Sequence, residues 1–367
     1  MTSPHGARRN ALRALLRDEH CDAMLVSDLI NVRYLSGFTG SNAALLVHAE
    51  DAAGAEDRTI FGTDGRYLTQ SAQQVPDLRR DIDRSCAQHL ISVAAQQGLG
   101  SVGFESHVVT VDEHSALVKT AGTMQLHRTP GSVERLRMVK DDSEVALLRA
   151  ACTAADTALA QLLAHGGLRP GRSELEVARE LESLMLAHGA DGPSFETIVA
   201  TGAHSAVPHH RPTAAVLATG DFVKMDFGTV VAGYHSDMTR TVVLGEPAAW
   251  QREIYQLVAA AQTAGCAAAV AGTEVGAVDA AARQVIEEAG HGEHFLHGLG
   301  HGVGLQIHEA PSIGQRGTGM LPAGAAVTVE PGVYLQGRGG VRIEDTLVVT
   351  ESTPELLTLT TKDLLVL

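Results

Sequence analysis

Five side chains able to hold a metal ion fall between positions 226 and 344, each in a glycine-rich, strand-like setting. They are Asp226 in KMDFG, Asp237 in GYHSDMTRT, His301 in HGLGHGVG, Glu330 in TVEPGVY and Glu344 in GVRIEDT. Four carboxylates cannot converge uncompensated, because like charges a few ångströms apart raise one another's pKa and repel. Two divalent cations remove the conflict. Their four positive charges balance the carboxylates, and two of the carboxylates can bridge cations held ~3.5–4 Å apart. Such a pair lowers the pKa of a water between them and so supplies a nucleophile near neutral pH. A donor set of oxygens with one nitrogen suits manganese, with cobalt or zinc as alternatives, and is unlike a sulfur-rich structural zinc site. Any one of these acids alone reads as a surface carboxylate. The five together, beside glycine and proline turns, read as a site.

Two hairpins are expected to deliver them. Asp226 and Asp237 are equidistant from the midpoint of VVAG, so a hairpin centred there sets them side by side across two strands. Glu330 and Glu344 are equidistant from Gly337 in QGRGG. Two helical patterns precede each hairpin: 143–165 and 173–188 in the first half, 248–271 and 276–289 in the second. Asp142 or Ser143 is expected to cap the first helix, and the glycine pair at 166 and 167 to stop it. Ser173 and Glu176 form a capping box for the next. Residues 143–362 thus read as an α+β domain of two like halves. Packed face to face, the halves would bring both carboxylate pairs to the centre.

Upstream, residues 7–19 read as an amphipathic helix with Leu12, Leu15 and Leu16 on one face. Short apolar runs follow near 23, 43–47, 60 and 101, with helical patterns at 65–74 and 85–97. This alternation predicts an α/β domain over 1–131. A polar, charged stretch at 132–142 reads as the linker.

The 367-residue chain is 44% hydrophobic and 19% charged, the composition of a globular protein with room for a large core. Its formal net charge of -15 disfavours a phosphate backbone, and 4% aromatics offer few stacking platforms, so nucleic acid is not expected as a partner. Cys21, Cys86, Cys152 and Cys266 lie far apart without a CxxC pair, which predicts a reduced, cytoplasmic setting. No unbroken run of 18 apolar residues occurs, and no membrane span is expected.

The blocks DFG…GYHSDMTRT, HGLGHGVGLQIHE, VEPGVY and GGVRIEDT resemble the signatures of the pita-bread metallopeptidases, over about residues 140–360. That family includes aminopeptidase P, prolidase and methionine aminopeptidase. The resemblance implies that Asp226 binds one metal, His301 and Glu330 the other, and that Asp237 and Glu344 bridge. It implies that Glu330 also shuttles the proton from the attacking water to the leaving amine. RYLSGFTGSNAALLV and TDGRYLTQSA resemble the creatinase-type N-terminal domain of aminopeptidase P and prolidase. Together they imply cleavage of an Xaa-Pro bond, with proline-containing peptides as substrates. SAVPHHRPT resembles the proline-peptidase block whose histidine contacts the substrate, here His209; relatives usually carry glycine where His210 stands. His308, in QIHEAP, matches a histidine that steadies the tetrahedral intermediate or binds substrate. His297 is given a lining role, since glycines at 298, 300, 302 and 304 exclude the helix a HxxxH zinc pair would need. Tyr334 and Arg342 are expected to orient the carboxylates from behind. A homodimer is implied by resemblance alone.

GSNAALLV and DGRY incline the expectation toward an Xaa-Pro aminopeptidase, with an Xaa-Pro dipeptidase as the alternative. Non-enzymatic binding proteins and the metal-free creatinases share the fold. The filled ligand set argues against both. The DFG triplet lacks a kinase glycine loop, and Gly300, Gly302 and Gly304 lack the helix of a dinucleotide site.

Overall fold

The computed structural model describes residues 4–50 and 54–367. They form two compact units, Met1–Arg137 and Met138–Leu367.

The first unit is a six-stranded mixed sheet with helices. Its strands are β1 (Ala23–Val26), β2 (Ala43–His48), β3 (Ile60–Thr63), β4 (Arg79–Ile82), β5 (Ser101–Phe104) and β6 (Gln125–Arg128), in spatial order β4-β3-β2-β1-β5-β6. The helices are α1 (Pro4–Asp18), α2 (Leu29–Ser36), α3 (Ala55–Arg58), α4 (Leu68–Gln74), α5 (Cys86–Gln96), α6 (Val111–Ala121) and α7 (Ser132–Arg137). Apolar runs become the two central strands, because β1 and β2 are buried along their whole length. On α1 the buried face carries Leu12 and Leu16, and also Arg9 and Arg13. Arg9 pairs with Glu56 and Asp77, and Arg13 with Glu56, so these cations are compensated.

The stretch 132–142 is not a plain linker. Residues 132–137 form α7, whose Ser132, Val133 and Arg137 are buried in the first unit. Asn31 donates to Glu134 at 2.7 Å and accepts from Arg137 at 2.9 Å. The polar composition that suggested a tether reflects this network instead.

The second unit shows the two like halves. In the first half come α8 (Asp142–Ala164) and α9 (Glu174–Ala187), then β7 (Gly192–Pro193), β8 (Ile198–Thr201), β9 (Phe222–Phe227), β10 (Thr229–Val231), β11 (Tyr234–His235) and β12 (Met238–Val243). In the second come α10 (Ala249–Ala268) and α11 (Val275–Glu288), then β13 (Gly300–Gly302), β14 (Glu309–Ile313), β15 (Ala326–Val329), β16 (Gly332–Leu335), β17 (Gly339–Arg342), β18 (Asp345–Val348) and β19 (Glu355–Leu356). One sheet runs β8-β9-β12, and the other contains β13-β15-β18 in the same relative order. Each half therefore repeats a strand, a hairpin arm and its return arm. The C-terminal residues extend the unit beyond 362: Val243 and Leu367 bond through the backbone at 2.9 Å.

Asp141, not Asp142 or Ser143, caps α8; its carboxylate accepts from the Ser143 and Glu144 amides, and Glu144 closes the capping box. Among the described residues α8 is the helix long and apolar enough to cross a membrane by length and composition. Its apolar face is spent inside the unit. Ala155, Ala158, Leu159 and Leu162 pack with Val177, Leu181 and the strand residues Val199, Val223 and Met225. The Ser173–Glu176 capping box opens α9 as expected.

The hairpin registers decide where the acids fall. Gly332 pairs with Arg342 and Ala326 with Val348, so both ladders centre on Gly337 and set Glu330 against Glu344. The first hairpin is offset. Asp226 faces Thr239, and Val231 faces Tyr234, which centres the turn on Ala232–Gly233. Both turn residues have positive φ, 46° and 80°, as a tight two-residue turn requires. Asp226 and Asp237 are thus diagonal, not side by side. The offset is even, so both remain on one face.

A Cβ at Gly228 would overlap the Ser236 carbonyl oxygen. Gly228→Ala is therefore expected to destabilise this hairpin by roughly 3 kcal/mol or more. A urea midpoint equal to that of the wild type would contradict the close approach.

Candidate metal centre

Period-two alternation aims the ligands. Glu344 and Asp345 are adjacent acids, and only the first turns to the cavity. Asp345 points the other way and pairs with Arg240 at 2.8 Å and Lys362 at 2.7 Å. Likewise Thr239, two residues from Asp237, shares its face and donates to Glu344 Oε2 at 2.6 Å. The two halves meet here: the Glu344 amide donates to the Thr239 carbonyl at 3.1 Å, and Thr346 Oγ1 to the Asp237 carbonyl at 2.8 Å.

The five expected ligands surround one cavity of about 790 Å³. Ligand atoms of Asp237, His301 and Glu344 all lie within 4.8 Å of one another. His301 Nε2 is 3.5 Å from Asp237 Oδ2 and 3.4 Å from Glu330 Oε1. Its Nδ1 lies 3.0 Å from the Gly302 carbonyl, a bond that puts the proton on Nδ1 and turns the Nε2 lone pair to the carboxylates. Asp226 pairs with Arg342 through one oxygen. Thr328 donates to Glu330 at 3.2 Å.

The decisive feature is what the carboxylates lack. Asp226 Oδ1, Asp237 Oδ1 and Glu344 Oε1 are buried with no hydrogen-bond partner. Three orphaned carboxylate oxygens in one cavity are costly unless a cation meets them. Two of the five residues already spend an oxygen on Arg342 or Thr239, which fixes the direction of the other. The donor set, its burial and these aimed lone pairs fit divalent metal ions.

The electrostatics agree. Burial pushes the Asp237 and Glu344 carboxyls well above their ordinary range, and neighbouring carboxylates push further. Glu330 is pushed up to about 7 by burial, with Arg342 opposing. Burial holds the His301 imidazole down at about 4 and that of His297 at about 3. Without metal, burial therefore favours the protonated forms of Asp237 and Glu344 and the neutral forms of these histidines.

The remaining expected residues divide. His209, His297 and His308 line the same cavity. The His308 ring meets that of His301 edge-on, with centroids 4.4 Å apart. Arg342 does orient a carboxylate, that of Asp226, and also donates to Thr239 Oγ1 at 2.9 Å. Tyr334 does not. Its hydroxyl meets Arg342 at 2.8 Å and His297 Nε2 at 2.8 Å, so it acts through the arginine. Three contributors went unread in the sequence: Thr239, Thr328 and Glu174. The first two were accessible by alternation from Asp237 and Glu330. His210 bonds Glu174 at 2.9 Å and lies outside the cluster of Asp237, His301 and Glu344.

With this geometry in place, the chain can be set beside known proteins. Residues 146–351 match metallopeptidase family M24, and residues 8–139 match the creatinase/prolidase N-terminal domain. The chain belongs to metallopeptidase family M24, with the pita-bread catalytic fold and a creatinase-type N-terminal domain. It is 37% identical to the uncharacterized peptidase YqhT of Bacillus subtilis, over 97% of this chain and 99% of that one. It is similar to the solved Xaa-Pro dipeptidase from Bacillus anthracis, at TM-score 0.93 and 38% identity, covering 99% and 100% of the two chains. It is also similar to the X-Pro aminopeptidase from Thermotoga maritima MSB8, at TM-score 0.86 and 32% identity, covering 96% and 100%.

The pKa directions fix the sign of a linkage. A divalent cation must displace the protons held by Asp237, Glu344 and Glu330, so its apparent affinity rises as pH climbs through about 7. Calorimetric manganese titration in buffers of differing ionisation enthalpy should show about one or more protons released per chain at pH 6.5, and fewer at pH 8.5. No release at pH 6.5 would contradict a buried, protonated cluster.

Proposed function

We propose that this chain hydrolyses the peptide bond between an N-terminal residue and a following proline. The observation that carries the reading is the set of orphaned oxygens on Asp226, Asp237 and Glu344, facing the cavity that His209 and His308 line. Asp226, Asp237, His301, Glu330 and Glu344 would hold two divalent cations. Manganese is the first choice for this donor set, and cobalt or zinc the alternatives. When bound, the cations supply Lewis-acid activation of a water and of the scissile carbonyl.

The chain's own groups do the rest. Glu330 takes a proton from the attacking water and gives it to the proline nitrogen as the C–N bond breaks. Arg342 fixes Asp226 and limits repulsion among the acids. His308 donates toward the developing oxyanion, and His209 holds the substrate. His297 is tied to Arg342 through Tyr334, and so shapes the cavity wall.

Dipeptides are the first substrates to expect, because the Xaa-Pro dipeptidase from Bacillus anthracis is the more similar of the two solved structures compared. Longer peptides are the second reading. The blocks GSNAALLV and DGRY favour them. A reduced compartment, supported by four free cysteines, and a homodimer belong to the same proposal.

The test is hydrolysis of Xaa-Pro and Xaa-Pro-Yaa peptides with manganese supplied, beside the same peptides with alanine in place of proline. Turnover confined to proline peptides is expected, and Asp237→Asn should abolish it while the fold is retained. Equal turnover of the alanine peptides would sink the proline reading. Full activity of Asp237→Asn would sink the site assignment.

A further inference from the structure

Outside the metal cluster, the segment bearing His209 is held in an unusual way. Glu174, the first residue of α9, is fully buried. Its Oε1 accepts from the Thr201 amide and meets His204 Nδ1, both at 2.9 Å. Its Oε2 accepts from the Thr213 amide at 2.9 Å and Thr213 Oγ1 at 2.7 Å, and meets His210 Nε2 at 2.9 Å. All five partners lie in residues 201–213, either side of His209. Burial pushes the Glu174 carboxyl up, but His210 and the other donors outweigh it, so the group sits below its ordinary value and stays ionised.

A buried lysine grips the segment from the other side. Lys224, fully buried in β9, donates to the Val207 carbonyl at 2.6 Å and the Pro208 carbonyl at 3.2 Å. Arg342 also reaches the Pro208 carbonyl at 3.2 Å. Both residues before His209 and the residue after it are thus tied down, while the His209 side chain faces the cavity. A hydrogen bond to a charged group is stronger than a neutral one, and a buried charge left without its donors is costly. The loop is therefore anchored on both sides of His209.

We infer that Glu174 is a positioning residue for substrate binding, which clamps the 201–213 segment through His204, His210 and Thr213 and so presents His209 to the substrate. The inference rests on the proposed peptidase reading. Glu174 touches neither the metal ligands nor the cavity centre. Its loss should loosen the loop and weaken substrate binding without disturbing metal content.

The experiment compares wild-type and Glu174→Gln full-length protein, both loaded with manganese. Gln keeps the shape but loses charge and acceptor capacity. For an Xaa-Pro peptide, KM is expected to rise about tenfold with kcat within about twofold, the size of one lost charge-assisted bond. Amide hydrogen exchange across 201–213 should accelerate, and metal content should be unchanged. A fall in kcat at constant KM, or unchanged exchange and kinetics, would overturn the inference. If Glu174→Gln does not fold, His210→Gly with Thr213→Val removes donors from the loop side and is read by the same criteria. If wild-type protein cleaves no proline peptide, the proposed activity fails on its own, and the exchange measurement alone decides the clamp.

Discussion

Mutual repulsion among buried carboxylates is the constraint on which the catalytic unit depends. Asp226, Asp237 and Glu344 are almost wholly removed from water. Each leaves one oxygen unmet. Burial drives the Asp237 and Glu344 carboxyls upward and neighbouring carboxylates drive them further, so without cations folding favours their protonated forms. Divalent metal ions turn the same arrangement from a liability into a stabilising one, since binding free energy becomes folding free energy. One set of residues therefore serves both stability and chemistry.

The architecture supplies this set by repetition. Two antiparallel sheets of matching order each contribute a hairpin, and the hairpin arms place acids near their ends. Alternation then sorts neighbours into opposite roles. Glu344 enters the cavity, while Asp345 holds Arg240, Gln262 and Lys362 behind it. Thr239 and Thr328 share faces with the ligands and orient two of them. Glycines pack where backbones cross closest: a Cβ at Gly300 would overlap the Thr328 carbonyl oxygen beside His301.

How much of this was legible varies with the range of the interaction. Glu330 and Glu344 were placed correctly because both ladders of the second hairpin centre on Gly337, midway between them. The first hairpin was misplaced because VVAG has no Asn-Gly signal, and the turn moves to Ala232–Gly233, where both residues take positive φ. Its even offset left the facing of the acids unharmed. The α/β first domain and the paired halves of the second followed from periodicity with capping signals, and the pita-bread class from the resemblance of the motif blocks. Glu174 was invisible. It reads as an ordinary acid at a helix start, and its partners lie 27–39 residues away. The same holds for α7, whose charged residues looked like a tether because Asn31, more than a hundred positions upstream, gives no local sign of meeting them. Tyr334 follows Glu330 closely in sequence, which points it toward the carboxylates. Strand geometry turns its hydroxyl to Arg342 instead.

The most direct measurement is metal stoichiometry of the full-length chain. Protein loaded with manganese near pH 8, freed of excess ion and assayed by elemental analysis should carry two ions per chain. It should return to near zero in Asp237→Ala/Glu344→Ala, which removes the pair expected to bridge. A wild-type chain that retains no divalent ion, or a variant that retains both, would contradict the central claim that these carboxylates are compensated by two cations.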